Sequence, residues 1–266
     1  MRIRVITAIV ALAFFLPVLV IGGLSLSILA TVIACIGVYE LFHMHQLNIK
    51  SFEGILAIIG TTMIVFPLPK YVKFLPKNQG QFLLFFLVVM LLLGAGVTSK
   101  NAYSIEKAAF PVIASLYVGV GFAALLNARN QGLPGLFLAL FIVWATDIGA
   151  YFVGLKYGRH KLCPEVSPNK TLEGVLGGAL SAFFVTMAFV FLFKAKNHFN
   201  HTALSVMFLS LLFSIAAQFG DLVESSIKRH FAVKDSGKIL PGHGGILDRF
   251  DSLLFVLPLM QLFGLF

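Results

Sequence analysis

Acidic side chains three residues apart recur near the end of the chain, as Asp221 with Glu224 and again as Asp248 with Asp251. On a helix, that spacing puts two carboxylates on one face. Asp221 and Glu224 close an apolar run, where the helix macrodipole disfavours negative charge. A bound cation or a basic partner is therefore expected beside them. The ordinary alternative is an i, i+4 pair between Glu224 and Lys228 on a solvated helix end. Asp248-Arg249-Phe250-Asp251 opens the last apolar run, and helix capping would account for one of its two acids. Between the pairs lies Pro241-Gly242-His243-Gly244-Gly245, whose glycines let backbone N–H groups approach an anion closely. Hard oxygen ligands next to an anion-cradling loop are what this segment offers.

A second cluster begins with Trp144-Ala145-Thr146-Asp147 and runs to Ser167-Pro168-Asn169-Lys170-Thr171-Leu172-Glu173-Gly174. Asp147 falls inside an apolar run, and an ionisable group within a membrane helix is a functional site by default. Ser167, Lys170 and Thr171 are phosphate-binding types, although a basic loop resting on lipid headgroups would use the same residues. Cys35 and Cys163 give no sign of a disulfide framework or a cysteine metal site. Neither a P-loop nor a His-Glu-x-x-His pattern occurs.

The elements that carry these residues follow from composition. Of 266 residues, 59% are hydrophobic and 12% charged, against about 25% charged in a soluble domain. Mean hydropathy is +0.95. A water-soluble globular protein is excluded, and the continuous apolar runs exclude an alternating β-barrel. With about 20 residues needed per crossing, the expected spans are 5–21, 24–42, 54–68, 82–97, 108–126, 134–153, 173–193, 203–223 and 250–266. The expected fold is all-α, a polytopic membrane protein of about nine transmembrane helices. Met1-Arg2-Ile3-Arg4 before the first run resembles a signal peptide but reads as a retained span, because a second apolar run follows at once.

All 20 cationic residues fall outside these runs. With the N-terminus inside, 14 of them are cytoplasmic, and only Lys70, Lys73, Lys77, Arg129, Lys194 and Lys196 lie outside. The positive-inside rule therefore favours N-in, C-out, with loops 154–172 and 224–249 in the cytoplasm. The net charge of +9 fits basic residues flanking membrane spans rather than a nucleic-acid partner. Polar chemistry concentrates in 134–266, the expected catalytic region, while 1–133 is expected to be mostly apolar helix.

The stretch from Ser226 through Lys228-Arg229, Lys234-Asp235-Ser236-Gly237 and Pro241-Gly242-His243-Gly244-Gly245 to Asp248-Arg249-Phe250-Asp251 resembles the signature of phosphatidate cytidylyltransferases. The segments 167–174 and Trp144…Asp147…Ala150-Tyr151 resemble that family too, so the likeness covers about 144–252. It implies transfer of CMP from CTP to phosphatidic acid, giving CDP-diacylglycerol and pyrophosphate. It also implies Mg²⁺, a monovalent cation such as K⁺, and an often dimeric protein of the bacterial inner membrane. On this reading Asp221, Asp248 and Asp251 are the leading metal ligands, with Glu224 and Asp147 second. Lys170 joins the three aspartates as a catalytic residue. Asp147, Ser167, Lys228, Arg229, His243, Gly244 and Arg249 would contact the nucleotide or lipid phosphate. A phosphatidate phosphate is already ionised near neutral pH, so direct displacement without a covalent intermediate is expected. Two other activities stay open on the residues: a CTP-dependent lipid kinase, which would release CDP, and an ion-coupled transporter using Asp147 and Asp221.

Overall fold

The computed structural model describes residues 2–76, 79–100, 102–193, 199, 201–242 and 244–266. Helices make up most of it: α1 Arg2–Ile21, α2 Gly23–Met44, α3 Phe52–Val65, α4 Leu68–Tyr71, α5 Gly80–Thr98, α6 Ile105–Gln131, α7 Leu133–Tyr157, α8 Leu172–Leu192, α9 Ala203–His230, α10 Leu247–Phe250 and α11 Leu253–Leu262. Between α7 and α8, β1 Lys161–Cys163 pairs antiparallel with β2 Ser167–Thr171. Among the described residues, α2, α5, α6, α7, α8 and α9 are long and apolar enough to cross a bilayer. The chain is therefore a polytopic helical membrane protein.

Several boundaries differ from expectation, each for a local reason. The run expected over 54–68 ends as α3 at Val65, because Phe66 precedes Pro67 and is extended. At 1.5 Å per residue α3 spans only about 21 Å. The expected 250–266 span is interrupted at 251–252 and leaves a 10-residue α11, ended by Gly264 at φ 68°. α9 runs on to His230, so Glu224, Lys228 and Arg229 occupy its last two turns instead of a loop. The segment 154–172, expected as a loop, contains the β-hairpin.

The chain divides into two compact units. One comprises Met1–Leu126 and Asp235–Asp248, the other Asn127–Lys234 and Arg249–Phe266. In the first, α2 packs on α1 and α3, and α3 on α5. Leu56, Val88, Leu92 and Ala108 form a buried cluster flanked by Tyr103 and Val112. The Ser115 hydroxyl donates to the Ala57 carbonyl at 2.9 Å, joining α6 to α3. Segment 235–248 returns to α2, where fully buried Leu247 fills the notch left by Gly37.

In the second unit, α7 packs along α8, and α9 closes on both. A Cβ on Gly178 would stand 2.9 Å from the Thr146 carbonyl, so glycine is what lets these two backbones approach. Polar bonds then tie α9 in. Thr146 Oγ1 donates to Ser214 Oγ at 2.8 Å, and Gln218 Nε2 to the Val175 carbonyl at 3.3 Å. Such bonds between membrane helices contribute about 0.6–2 kcal/mol each.

Candidate active site

The second unit gathers charge around the C-terminal half of α9. Helical spacing puts Asp221 and Glu224 on one face, and Gly220 admits the third acid. A Cβ on Gly220 would lie 2.7 Å from the Asp251 carbonyl and 2.9 Å from Phe255 Cδ2. With no side chain there, the 251–255 segment closes on α9. One carboxylate oxygen from each of Asp221, Glu224 and Asp251 then lies within 4.8 Å of the others. Glu224 is 1% exposed, and the two aspartates are half-buried.

Two lysines balance part of this charge. Lys170 Nζ is 2.5 Å from Asp221 Oδ2 and donates to the Gln218 carbonyl at 3.2 Å. Lys228 Nζ is 2.5 Å from Glu224 Oε2, the i, i+4 pair that the spacing offers as the alternative to a cation, although Glu224 is buried here and not on a solvated helix end. Asp147 on α7 interacts electrostatically with Asp221 and Lys170, and Asp251 with Asp221, Asp147 and Lys228.

Lys170 reaches the acids because the hairpin is anchored at both ends. Thr171 caps α8, its hydroxyl accepting from Gly174 N at 3.1 Å. The Glu173 carboxylate, in the first turn of α8, accepts from the backbone N–H groups of Arg159 and His160 and contacts His160 Nδ1 at 2.6 Å. At the hairpin turn, Arg229 Nε donates to the Val166 carbonyl at 3.4 Å.

The loop of the first unit is built around two other carboxylates. Asp248 Oδ2 accepts from Ser236 N at 2.9 Å, Ser236 Oγ at 2.9 Å and Gly245 N at 2.8 Å. It therefore braces the loop at the entrance of α10. Gly242 and Gly244 have φ of 76° and 84°, the left-handed turn that the glycine-rich stretch requires. The second acid is Glu40, 1% exposed on α2, which accepts from Ile246 N, Leu247 N and Ser236 Oγ. Glu40 carries the same sequence signal as Asp147, an ionisable residue inside an apolar run, but no spacing links it to the loop it holds.

A family model described as "Cytidylyltransferase family" matches residues 2–266. The chain belongs to this family. It is 42% identical over 268 residues to the phosphatidate cytidylyltransferases of Staphylococcus aureus (strain COL), Staphylococcus saprophyticus and Staphylococcus haemolyticus. Each match covers 98% of this chain and 98% of the relative.

Within this cytidylyltransferase, the residues singled out from sequence are distributed as follows. Asp147, Lys170, Asp221, Glu224, Lys228 and Asp251 belong to one charged group in the second unit. Ser167 stands opposite Cys163 in the hairpin, and Arg229 and Arg249 are exposed. Asp248 and Gly244 belong to the first unit's loop, and His243 lies outside the described residues.

Proposed function

We propose that the chain transfers CMP from CTP to phosphatidic acid, releasing pyrophosphate and forming CDP-diacylglycerol for phospholipid synthesis. The observation that carries this reading is a cluster of three carboxylates faced by two lysines, in a chain similar over nearly its whole length to phosphatidate cytidylyltransferases. The lipid phosphate oxygen attacks the α-phosphorus of CTP, and the α–β bridging bond breaks. No strong base is needed, since the nucleophile is already ionised. The difficulty is bringing two anions together.

The donor set fits Mg²⁺: three hard carboxylate oxygens, one of them on a buried residue, suit a small divalent cation and would suit a soft metal poorly. Asp221, Glu224 and Asp251 would hold it. Asp248 is assigned alongside them from the resemblance of its segment alone. When bound, the ion neutralises phosphate charge and polarises the α-phosphoryl group. Lys170 and Lys228 place their ammonium groups at the same carboxylates, where they offset the remaining negative charge and present donors to phosphate oxygens. Ser167, Arg229, His243, Gly244 and Arg249 are assigned to phosphate contacts, and Asp147 to substrate binding near Lys170. K⁺ as a second cation is part of the same proposal.

The chain is further proposed to cross the membrane about nine times, α1, α3 and α11 adding to the six long helices. Its placement is the bacterial inner membrane, with 134–266 as catalytic region and 154–172 and 224–249 facing cytoplasmic CTP. A homodimer is the proposed assembly. The deciding experiment incubates purified protein with CTP, phosphatidate and Mg²⁺ and identifies the released product. Pyrophosphate with CDP-diacylglycerol supports the assignment, and CDP with a phosphorylated lipid overturns it.

A further inference from the structure

The carboxylate of Glu40 is wrapped by the 235–248 loop. Oε1 accepts from Ile246 N at 2.8 Å, and Oε2 from Leu247 N at 3.0 Å and from Ser236 Oγ at 3.0 Å. Consecutive amides of one turn thus land on the two oxygens of one side chain. The same Ser236 hydroxyl stands 2.9 Å from Asp248 Oδ2, so one O–H with a single hydrogen bridges two carboxylates. The loop backbone is shaped to this arrangement. A Cβ on Gly237 would sit 2.5 Å from Glu40 Oε1, and one on Gly245 would strike Ser236 Oγ and both Glu40 oxygens.

We propose that Glu40 is a positioning residue for the reaction, its buried carboxylate setting the shape of the glycine-rich 235–248 loop and, through Ser236, the carboxylate of Asp248. The proposal rests on the reading of that loop as part of the cytidylyl-transfer site. A purely structural role explains the pattern less well. Leu247 already docks the loop on α2 by filling the Gly37 notch, and that apolar contact carries no burial penalty. An acid inside an apolar helix carries a large one. What a carboxylate adds over a leucine is direction: two acceptor oxygens that specify where two amides and one hydroxyl must point.

Glu40→Gln tests this, because the shape is kept while one acceptor becomes a donor facing an N–H group. In the full-length protein in detergent, amide hydrogen exchange in peptides covering 240–250 should quicken by about tenfold or more, the size expected for one lost buried hydrogen bond. Peptides from α8 should exchange as in wild type. With CTP and phosphatidate, kcat/KM should fall by a similar factor at unchanged folded fraction. Ser236→Ala should give a smaller loss, and the double variant should be no worse than Glu40→Gln, since both act through one network. If Glu40→Gln fails to fold, Glu40→Asp, with two acceptors one methylene short, should show the same pattern more weakly. Wild-type exchange at 240–250 together with wild-type kcat/KM overturns the proposal. So does faster exchange spread through α8 with unchanged kcat/KM per folded molecule, the mark of a residue that only stabilises. Failure of the wild type to make CDP-diacylglycerol would overturn the catalytic part, while the exchange measurement independently tests the loop-shaping part.

Discussion

Replacing Lys170 with methionine removes an ammonium but keeps most of its stem, and the structure separates two consequences. The first is stability. Lys170 and Asp221 are 22% and 35% exposed. An exposed pair is worth about 0–1 kcal/mol, and breaking a fully buried one costs about 3–5 kcal/mol. This half-buried pair, with its extra bond to the Gln218 carbonyl, falls between, at about 1–2 kcal/mol. The second consequence is catalytic. If the ammonium offsets charge on a phosphate in the transition state, its loss costs about 2.7–4 kcal/mol, or roughly a hundred- to a thousandfold in rate.

These effects are read independently. Thermal unfolding, followed through Trp144 as the single tryptophan, reports the stability loss. Pyrophosphate release per folded molecule reports the catalytic one. Magnesium dependence adds a sign. Removing Lys170 takes a competing cation away from Asp221, so the Mg²⁺ midpoint should stay or fall. Asp221→Asn removes a ligand, so its midpoint should rise. Activity of Lys170→Met within about fivefold of wild type would refute the reasoning, because an interfacial lysine touching headgroups is worth only about 1 kcal/mol. An Mg²⁺ midpoint rising in both variants would refute the electrostatic part.

Three other outcomes are expected. Asp248→Asn keeps one acceptor oxygen for Ser236 and Gly245 and should fold normally, yet lose most activity and need much higher Mg²⁺; a wild-type rate and midpoint would remove Asp248 from the metal assignment. Single cysteines at Lys156 and Lys238, in a background lacking Cys35 and Cys163, should resist impermeant thiol reagents applied to intact cells, and labelling of either would overturn the proposed sidedness. Gly245→Ala drives a methyl into Ser236 and Glu40 and should abolish turnover in a membrane-inserted protein, whereas Gly94→Ala, which meets nothing within 4 Å, should be silent in the same assay.

What could be read from sequence depended on whether a feature is local. The i, i+3 relation of Asp221 and Glu224 and the i, i+4 relation of Glu224 and Lys228 are properties of one helix, and both appear in α9. The hairpin holding Lys170 was not legible. β1 has three residues, Pro164 opens the turn directly after it, and no alternation of apolar and polar residues marks either strand. Its strands owe their position to Glu173 and Thr171 at the entrance of α8, contacts that no periodicity records. Gly220 was likewise invisible as a determinant, since its effect is to make room for a segment 31 residues further on, at Asp251.

The two acid pairs have identical spacing but lie on different backbone. Asp221 and Glu224 share a face because α9 continues unbroken past both. Asp248 and Asp251 have the same separation, but α10 ends at Phe250 and Asp251 lies in the turn before α11. The helical rule does not apply across that break, so spacing alone does not say which groups each side chain meets. Asp248 turns back onto Ser236 and Gly245, bracing the loop that precedes it. Asp251 joins Asp221 and Glu224. A continuous helix through 251–252 would have tied both acids to one face. The interrupted one lets a four-residue stretch supply a loop brace at one end and a carboxylate of the charged cluster at the other.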